Sequence, residues 1–205
     1  MAMFNAKLQA KKDYWLLDYI RTSGSQYINT GEAPVYGTLK AKFKSASSTD
    51  MNTAWGAEVY AVANFAYRWS SSSSGGSNKF QFFPSGEAVA VSLSTLQEME
   101  ATVDGTSILV KVNGTTYLSK SYTYTMPTIP VYIGCVNKNN NAEKFANVTI
   151  YYFELRDTLD KIVYSFVPVI RKSDGAIGMY NKKNKQFYGN SGSGTFTAGS
   201  VIGEI

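Results

Sequence analysis

From Tyr14 onward, hydrophobic residues recur at every second position in short runs separated by turn residues, and helical spacing is almost absent. Val35, Leu39, Ala41 and Phe43 alternate with smaller or charged residues, with Gly37 as an irregularity. The stretch Trp55 to Trp69 is rich in aromatics, and Ser70 to Asn78, mostly serine and glycine, predicts a flexible surface loop. The centre is the best-defined part: 99–103 leads into Asp104-Gly105, 107–112 sets Ile108, Val110 and Val112 against Leu109 and Lys111, and Asn113-Gly114 opens onto 115–124. Asp-Gly and Asn-Gly accept the positive φ of tight hairpins, so this pattern predicts a three-stranded meander.

Further on, Val131 to Val136 predicts one continuously buried strand, and Asn137 to Asn141 a turn. Residues 145–156 form the longest strand candidate, with Val148, Ile150 and Tyr152 on one face and Thr149, Tyr151, Phe153 and Leu155 on the other. Apolar side chains on both faces imply a central strand covered on both sides, or one face that greets a partner. Residues 161–170 repeat the pattern, Asp174-Gly175 turns into 176–180, 181–184 turns into 186–188, and a Gly/Ser/Asn-rich tail runs from 189 to 194. About a dozen short strands with turns at this spacing predict an all-β sandwich or barrel over 13–205. Residues 1–12 form an N-terminal arm in which Met1, Phe4 and Leu8 share a helical stripe. So short a helix is marginal in water, so the arm is expected to fray or to dock on a partner, which makes those three residues the candidate attachment site.

Composition narrows the chemistry. The 205 residues include no histidine and a single cysteine, Cys135, which excludes His-dependent catalytic triads, His-ligated zinc and disulfides within the chain. Only 17% of residues are charged while 14% are aromatic, a balance that suits a binding or structural module better than an enzyme. The net charge of +5 is concentrated in 161–188, where Lys161, Arg171, Lys172, Lys182, Lys183 and Lys185 face Asp174 alone. With no RNA- or DNA-binding signature beside them, these cations are read as a solvated hairpin, and no nucleic acid partner is expected. No run reaches the roughly 18 apolar residues needed to span a bilayer, and the N-terminus lacks the apolar region of a signal peptide. Synthesis in a reducing compartment and no membrane insertion are expected.

Trp55, Tyr60, Tyr67 and Trp69 lie in one stretch beside Asn64 and Arg68, flat rings next to polar groups, and are the candidate glycan-stacking residues. The competing expectation is that such rings form the sandwich core, as Trp15 is also expected to do unless it packs on the arm. Glu98 and Glu100 share a strand face but do not match a glycosidase carboxylate pattern, so they are expected on a solvated edge, and no catalytic residue is assigned. Asn137, Asn139, Asn140 and Asn141 offer only neutral oxygens, so no metal and no cofactor are expected. Cys135, between Gly134 and Val136, is expected to be a buried small hydrophobe.

Three segments carry a resemblance: Asp18-Tyr19-Ile20-Arg21-Thr22-Ser23-Gly24-Ser25-Gln26-Tyr27-Ile28-Asn29-Thr30-Gly31, Phe166 through Tyr180, and Gln186-Phe187-Tyr188 with Gly192-Ser193-Gly194-Thr195-Phe196. From about Asp18 to Phe196 the chain resembles the concanavalin A-like (laminin-G-like) jelly-roll modules of bacteriophage structural proteins and gut-bacterial surface proteins. The paired turns at Asp104-Gly105 and Asn113-Gly114 fit that superfamily as well. The resemblance implies an antiparallel two-sheet jelly roll used for carbohydrate or protein recognition. It implies a non-enzymatic virion surface protein, a head decoration, head fibre or tail component made in the host cytoplasm. The expected partners are further copies of the chain (a homo-oligomer such as a trimer), other virion proteins and a cell-surface glycan. A carbohydrate-binding module of a bacterial cell-surface protein is the alternative, and a glycoside hydrolase acting through Glu98 or Glu100 the weaker one.

Overall fold

The computed structural model describes residues 12–46, 51–60, 62–70, 79–83, 85, 87–89, 91–92 and 94–205. Met1, Phe4 and Leu8 of the arm, and 71–78 of the serine loop, lie outside the described residues. Among the described residues every regular element is a strand. The first ten in chain order are β1 (Tyr14–Leu17), β2 (Ile20–Arg21), β3 (Ile28–Asn29), β4 (Gly37–Ser45), β5 (Thr53–Val59), β6 (Ala63–Ser70), β7 (Lys79–Phe83), β8 (Glu87–Val89), β9 (Gln97–Val103) and β10 (Ser107–Val112). The rest are β11 (Thr115–Ser121), β12 (Tyr132–Ile133), β13 (Val136–Lys138), β14 (Asn141–Glu143), β15 (Val148–Asp157), β16 (Ile162–Arg171), β17 (Ile177–Asn181), β18 (Gln186–Tyr188), β19 (Thr197–Ala198) and β20 (Val201–Glu204).

They form two sheets. The larger runs β11-β10-β9-β4-β15-β16-β1-β20, with β17 and β18 continuing from β16, and β2 and β19 joined to β15. The smaller runs β14-β13-β5-β6-β7-β8, with β12 and β3 beside β5. All described pairings are antiparallel except β13 with β5. The sheets pack as an all-β sandwich, an arrangement compatible with a jelly roll.

The predicted meander is present as β9-β10-β11. Its turns take the expected backbone, with positive φ at Gly105 (92°), Asn113 (51°) and Gly114 (77°). Period-two burial then builds the core. Leu39, Ala41 and Phe43 of β4, Met99, Ala101 and Val103 of β9, and Phe153 and Leu155 of β15 point inward from the larger sheet. They meet Trp55, Phe65, Tyr67, Trp69, Phe80 and Phe82 of the smaller sheet. Across the interface Trp55 lies 5.7 Å from Phe153 and Phe43 lies 5.6 Å from Tyr67, ring centre to ring centre, and the buried Tyr67 hydroxyl donates to Gln97 Oε1 at 2.9 Å.

Several expectations change. The run 131–136 is two short strands, because Gly134 takes φ 100° between them, where a side chain would meet the Gln26 carbonyl oxygen at 2.9 Å. Strand β15 does not bury both faces. Against β4 its register shifts between Ile150 and Tyr152, so Tyr151 is an inserted residue and the inward set runs Val148, Ile150, Phe153, Leu155. Such a bulge re-aims side chains by adding one residue to one strand. The tail 189–194 returns to the chain start, with Ser191 N–H donating to Tyr27 O and Ser193 N–H to Ser25 O. Beyond it β19 pairs with β2 and β20 with β1. Trp15 is neither core nor beyond contact: it is 38% exposed, with Lys172 Nζ 3.9 Å from its ring centre.

Candidate functional site

Three of the four candidate stacking residues are core. Trp55, Tyr67 and Trp69 are exposed by 3% or less, because β5 and β6 carry them on the strand face turned toward the larger sheet. Stacking on an external sugar would require opening the sandwich, so the expected surface is corrected for these three. Tyr60 differs: it sits at the tip of the β5-β6 hairpin, 67% exposed, with Lys138 Nζ 5.7 Å from its ring. A groove of about 420 Å³ lies beside that tip between Asn64, Phe83, Tyr122 and Tyr124. Two of its polar groups are already engaged, since Arg68 donates to both Glu58 Oε2 and Asn64 Oδ1 at 3.2 Å.

The other carboxylates singled out are also paired. Strand β9 is interior to the larger sheet, so Glu98 and Glu100 are not on an edge. On its outer face Glu98 pairs with Lys42, and Glu100 lies 3.3 Å from Lys40. Glu154 meets Arg156 at 2.7 Å. Asn139 and Asn140 take φ of 49° and 69° as the turn between β13 and β14, and among the described residues no cluster of three or more acidic or cysteine side chains could hold a metal. Cys135 is fully buried, and burial pushes its thiol well above the usual range, as expected for an inert small hydrophobe.

The surface with unspent chemistry lies elsewhere on the outer face of the larger sheet. Thr149 of β15 pairs with Lys44 of β4 on one side and with Arg21 of β2 on the other, and Arg21 also pairs with Thr197 of β19. Cross-strand partners share a face, so Lys44, Thr149, Arg21 and Thr197 form one row. Two residues along each strand come Tyr151 and Tyr19, and their half-buried rings meet edge to face at 5.8 Å. The bulge at Tyr151 leaves both Tyr151 and Tyr152 outside while returning Phe153 to the core. Tyr19 is fixed from behind by Gly199: Gly199 N–H donates to Tyr19 O at 2.9 Å, and any Cβ there would fall 2.7 Å from the Tyr19 ring and 1.9 Å from Asp18 Oδ1. Asp18 is turned onto its own backbone, accepting from Tyr19 N–H at 2.9 Å.

Tyr19, Arg21, Lys44, Thr149 and Tyr151, with Ala46, Ser94 and Asn147, line a groove of about 380 Å³. That is within the range of small-ligand sites, which combine apolar rings with a few polar groups that set orientation. The groove's cations are unpaired among the described residues. Arg68, Arg156 and Arg171 each hold a carboxylate, whereas Arg21 has none among the described residues, and neither has Lys44. The sequence pattern contained one sign of this site, the outward alternation Tyr19-x-Arg21 and Thr149-x-Tyr151, but not the bulge that brings it together. Comparison with protein-family models and with curated proteins finds no match for this chain.

Proposed function

We propose that this chain is a non-enzymatic display module whose groove at Tyr19, Arg21, Lys44, Thr149 and Tyr151 binds a glycan. The supporting observation is the pairing of two outward tyrosine rings with hydrogen-bonding groups that no neighbour among the described residues uses. Ring faces take the apolar C–H faces of a sugar, and the row beside them supplies donors for its hydroxyls. Glu98 and Glu100 support binding over hydrolysis, since each is held in an ion pair with a lysine on the outer face and is not matched to a glycosidase carboxylate pattern.

The setting is a phage virion surface, as a head decoration, head fibre or tail component. This part rests on the resemblance of segments 18–31, 166–180 and 186–196 to concanavalin A-like modules of phage structural proteins. Capsid or tail genes beside the coding sequence are expected; cell-wall anchoring genes there would assign it to a bacterial surface instead. Sedimentation of the full chain is expected to give a homo-oligomer, and a monomer would remove the assembly part. The binding part is tested on a glycan array with the wild-type chain and Tyr151→Ala. The expected result is a defined set of glycans bound by the wild type and lost in a variant that still folds; equal signals from both would refute the groove.

A further inference from the structure

We infer that the ligand of this groove is anionic, a saccharide carrying a carboxylate or sulfate that is held between Arg21 and Lys44. The inference rests on the groove being the glycan site and adds the chemical class. The row Lys44-Thr149-Arg21 places two cations on either side of one threonine, two strand spacings or roughly 10 Å apart at the backbone, so their long side chains can close on one anion above it. Elsewhere on the larger sheet several cations already hold carboxylates. Lys40 and Lys42 are opposite Glu100 and Glu98, Arg156 is between Glu154 and Asp160, and Arg171 grips Asp174 through two hydrogen bonds of 3.0 and 2.6 Å. Sheets usually oppose such charges across strands because like charges side by side cost stability. Among the described residues the Arg21 and Lys44 positions lack that compensation, and two aromatic rings adjoin them. A planar guanidinium matches a carboxylate or sulfate with two parallel N–H donors, and Lys44 adds a second charge without a fixed direction.

The neutral Thr149 and Asn147 side chains complete the set as partners for sugar hydroxyls, so the site specifies a saccharide acid and not a bare anion. The basic turn Lys182, Lys183 and Lys185 is the competing source of anion attraction, and Tyr180 and Phe187 flank it on β17 and β18, but there Arg171 lies 4.4 Å over the Phe187 ring and itself holds Asp174.

The test is calorimetric titration of the full chain with sialyllactose, trigalacturonate and a sulfated heparin tetrasaccharide, each beside neutral lactose. At least one acid is expected to bind about tenfold or more tightly than lactose, and to weaken as salt is raised. Arg21→Gln, an exposed position, is expected to cost about ten- to a hundredfold in that affinity with an unchanged melting temperature. Which acid binds separates carboxylate from sulfate. Lactose binding as tight as the acids, with loss in Tyr151→Ala, would overturn the anionic class while leaving the glycan site intact. No binding by any of the four sugars would overturn both. Acid binding that survives Arg21→Gln but falls when Lys182, Lys183 and Lys185 become Gln would overturn the groove as the anion site.

Discussion

Trp55, Tyr67 and Trp69 on one sheet, and Tyr19 and Tyr151 on the other, carry similar rings to opposite ends. The first three alternate in phase with the inter-sheet space and are buried; the second two alternate out of phase and meet each other outside. Residue type does not separate them, since a tyrosine stands in each group. Strand phase does, and on β15 the phase is itself set by one inserted residue. The inner rings therefore govern stability: each removes roughly 150–250 Å² from water, up to about 4–6 kcal/mol by area before conformational costs. The outer rings lie half-buried on a face already closed beneath them by Val148, Ile150 and Phe43, with Lys42 Nζ 6.0 Å from the Tyr151 ring centre, and remain open to solvent for recognition.

The division can be broken most severely at Trp55. Trp55→Ala is expected to cost about 3–5 kcal/mol by leaving a cavity facing Phe153, read as a fall of about 10 °C or more in melting temperature by circular dichroism. A fall of under 2 °C would mean that ring is not core. Next comes the outer face of the smaller sheet, where Arg68 is nearly buried (5% side-chain exposure), stacks 4.0 Å above Phe83 and holds Glu58. Glu58→Ala leaves that guanidinium without its carboxylate and is expected to cost about 2–3 kcal/mol in denaturant melts, well beyond any surface pair.

A smaller effect sharpens the role of the turns. Asp104 is held down to about 2, first by the Thr106 N–H and then by the Ser107 and Thr106 hydroxyls, and Asp174 to about 2, first by Arg171. Both folded values lie below the unfolded value of about 3.9, so their stabilisation is present above that pH and is lost as pH falls toward 2. The melting temperature is expected to drop between pH 4 and 2, and Asp104→Asn to flatten part of that slope; an unchanged slope would contradict the turn geometry. The smallest effect is expected at Glu98→Gln, where the pair with Lys42 is solvent-facing and worth no more than about 1 kcal/mol. A larger loss would show that the outer charge ladder is structural.

The central meander was legible because its signal is local: Asp104-Gly105 and Asn113-Gly114 sit in tight turns with strands on either side. The phase of β15 was not, since nothing in Ile150-Tyr151-Tyr152 marks the extra residue, and an unbulged reading puts Tyr152 and Phe153 on the wrong faces. Strands β19 and β20 were also hidden, being two and four residues long and paired with strands at the opposite end of the chain. The groove inherits both difficulties, because it draws on β2, β4 and β15, three segments far apart in sequence. Aromatic density pointed to 55–69 instead, and that density reported a core.

A bound ligand must touch the outer rings and leave the inner ones alone. Amide and indole signals recorded by NMR while sialyllactose is titrated into the full chain answer this directly. The expected shifts are confined to 19–22, 44–46 and 147–152, with the Trp55 and Trp69 indole N–H signals unmoved. Shifts centred instead on the Tyr60 hairpin tip, or none anywhere in the spectrum, would contradict it.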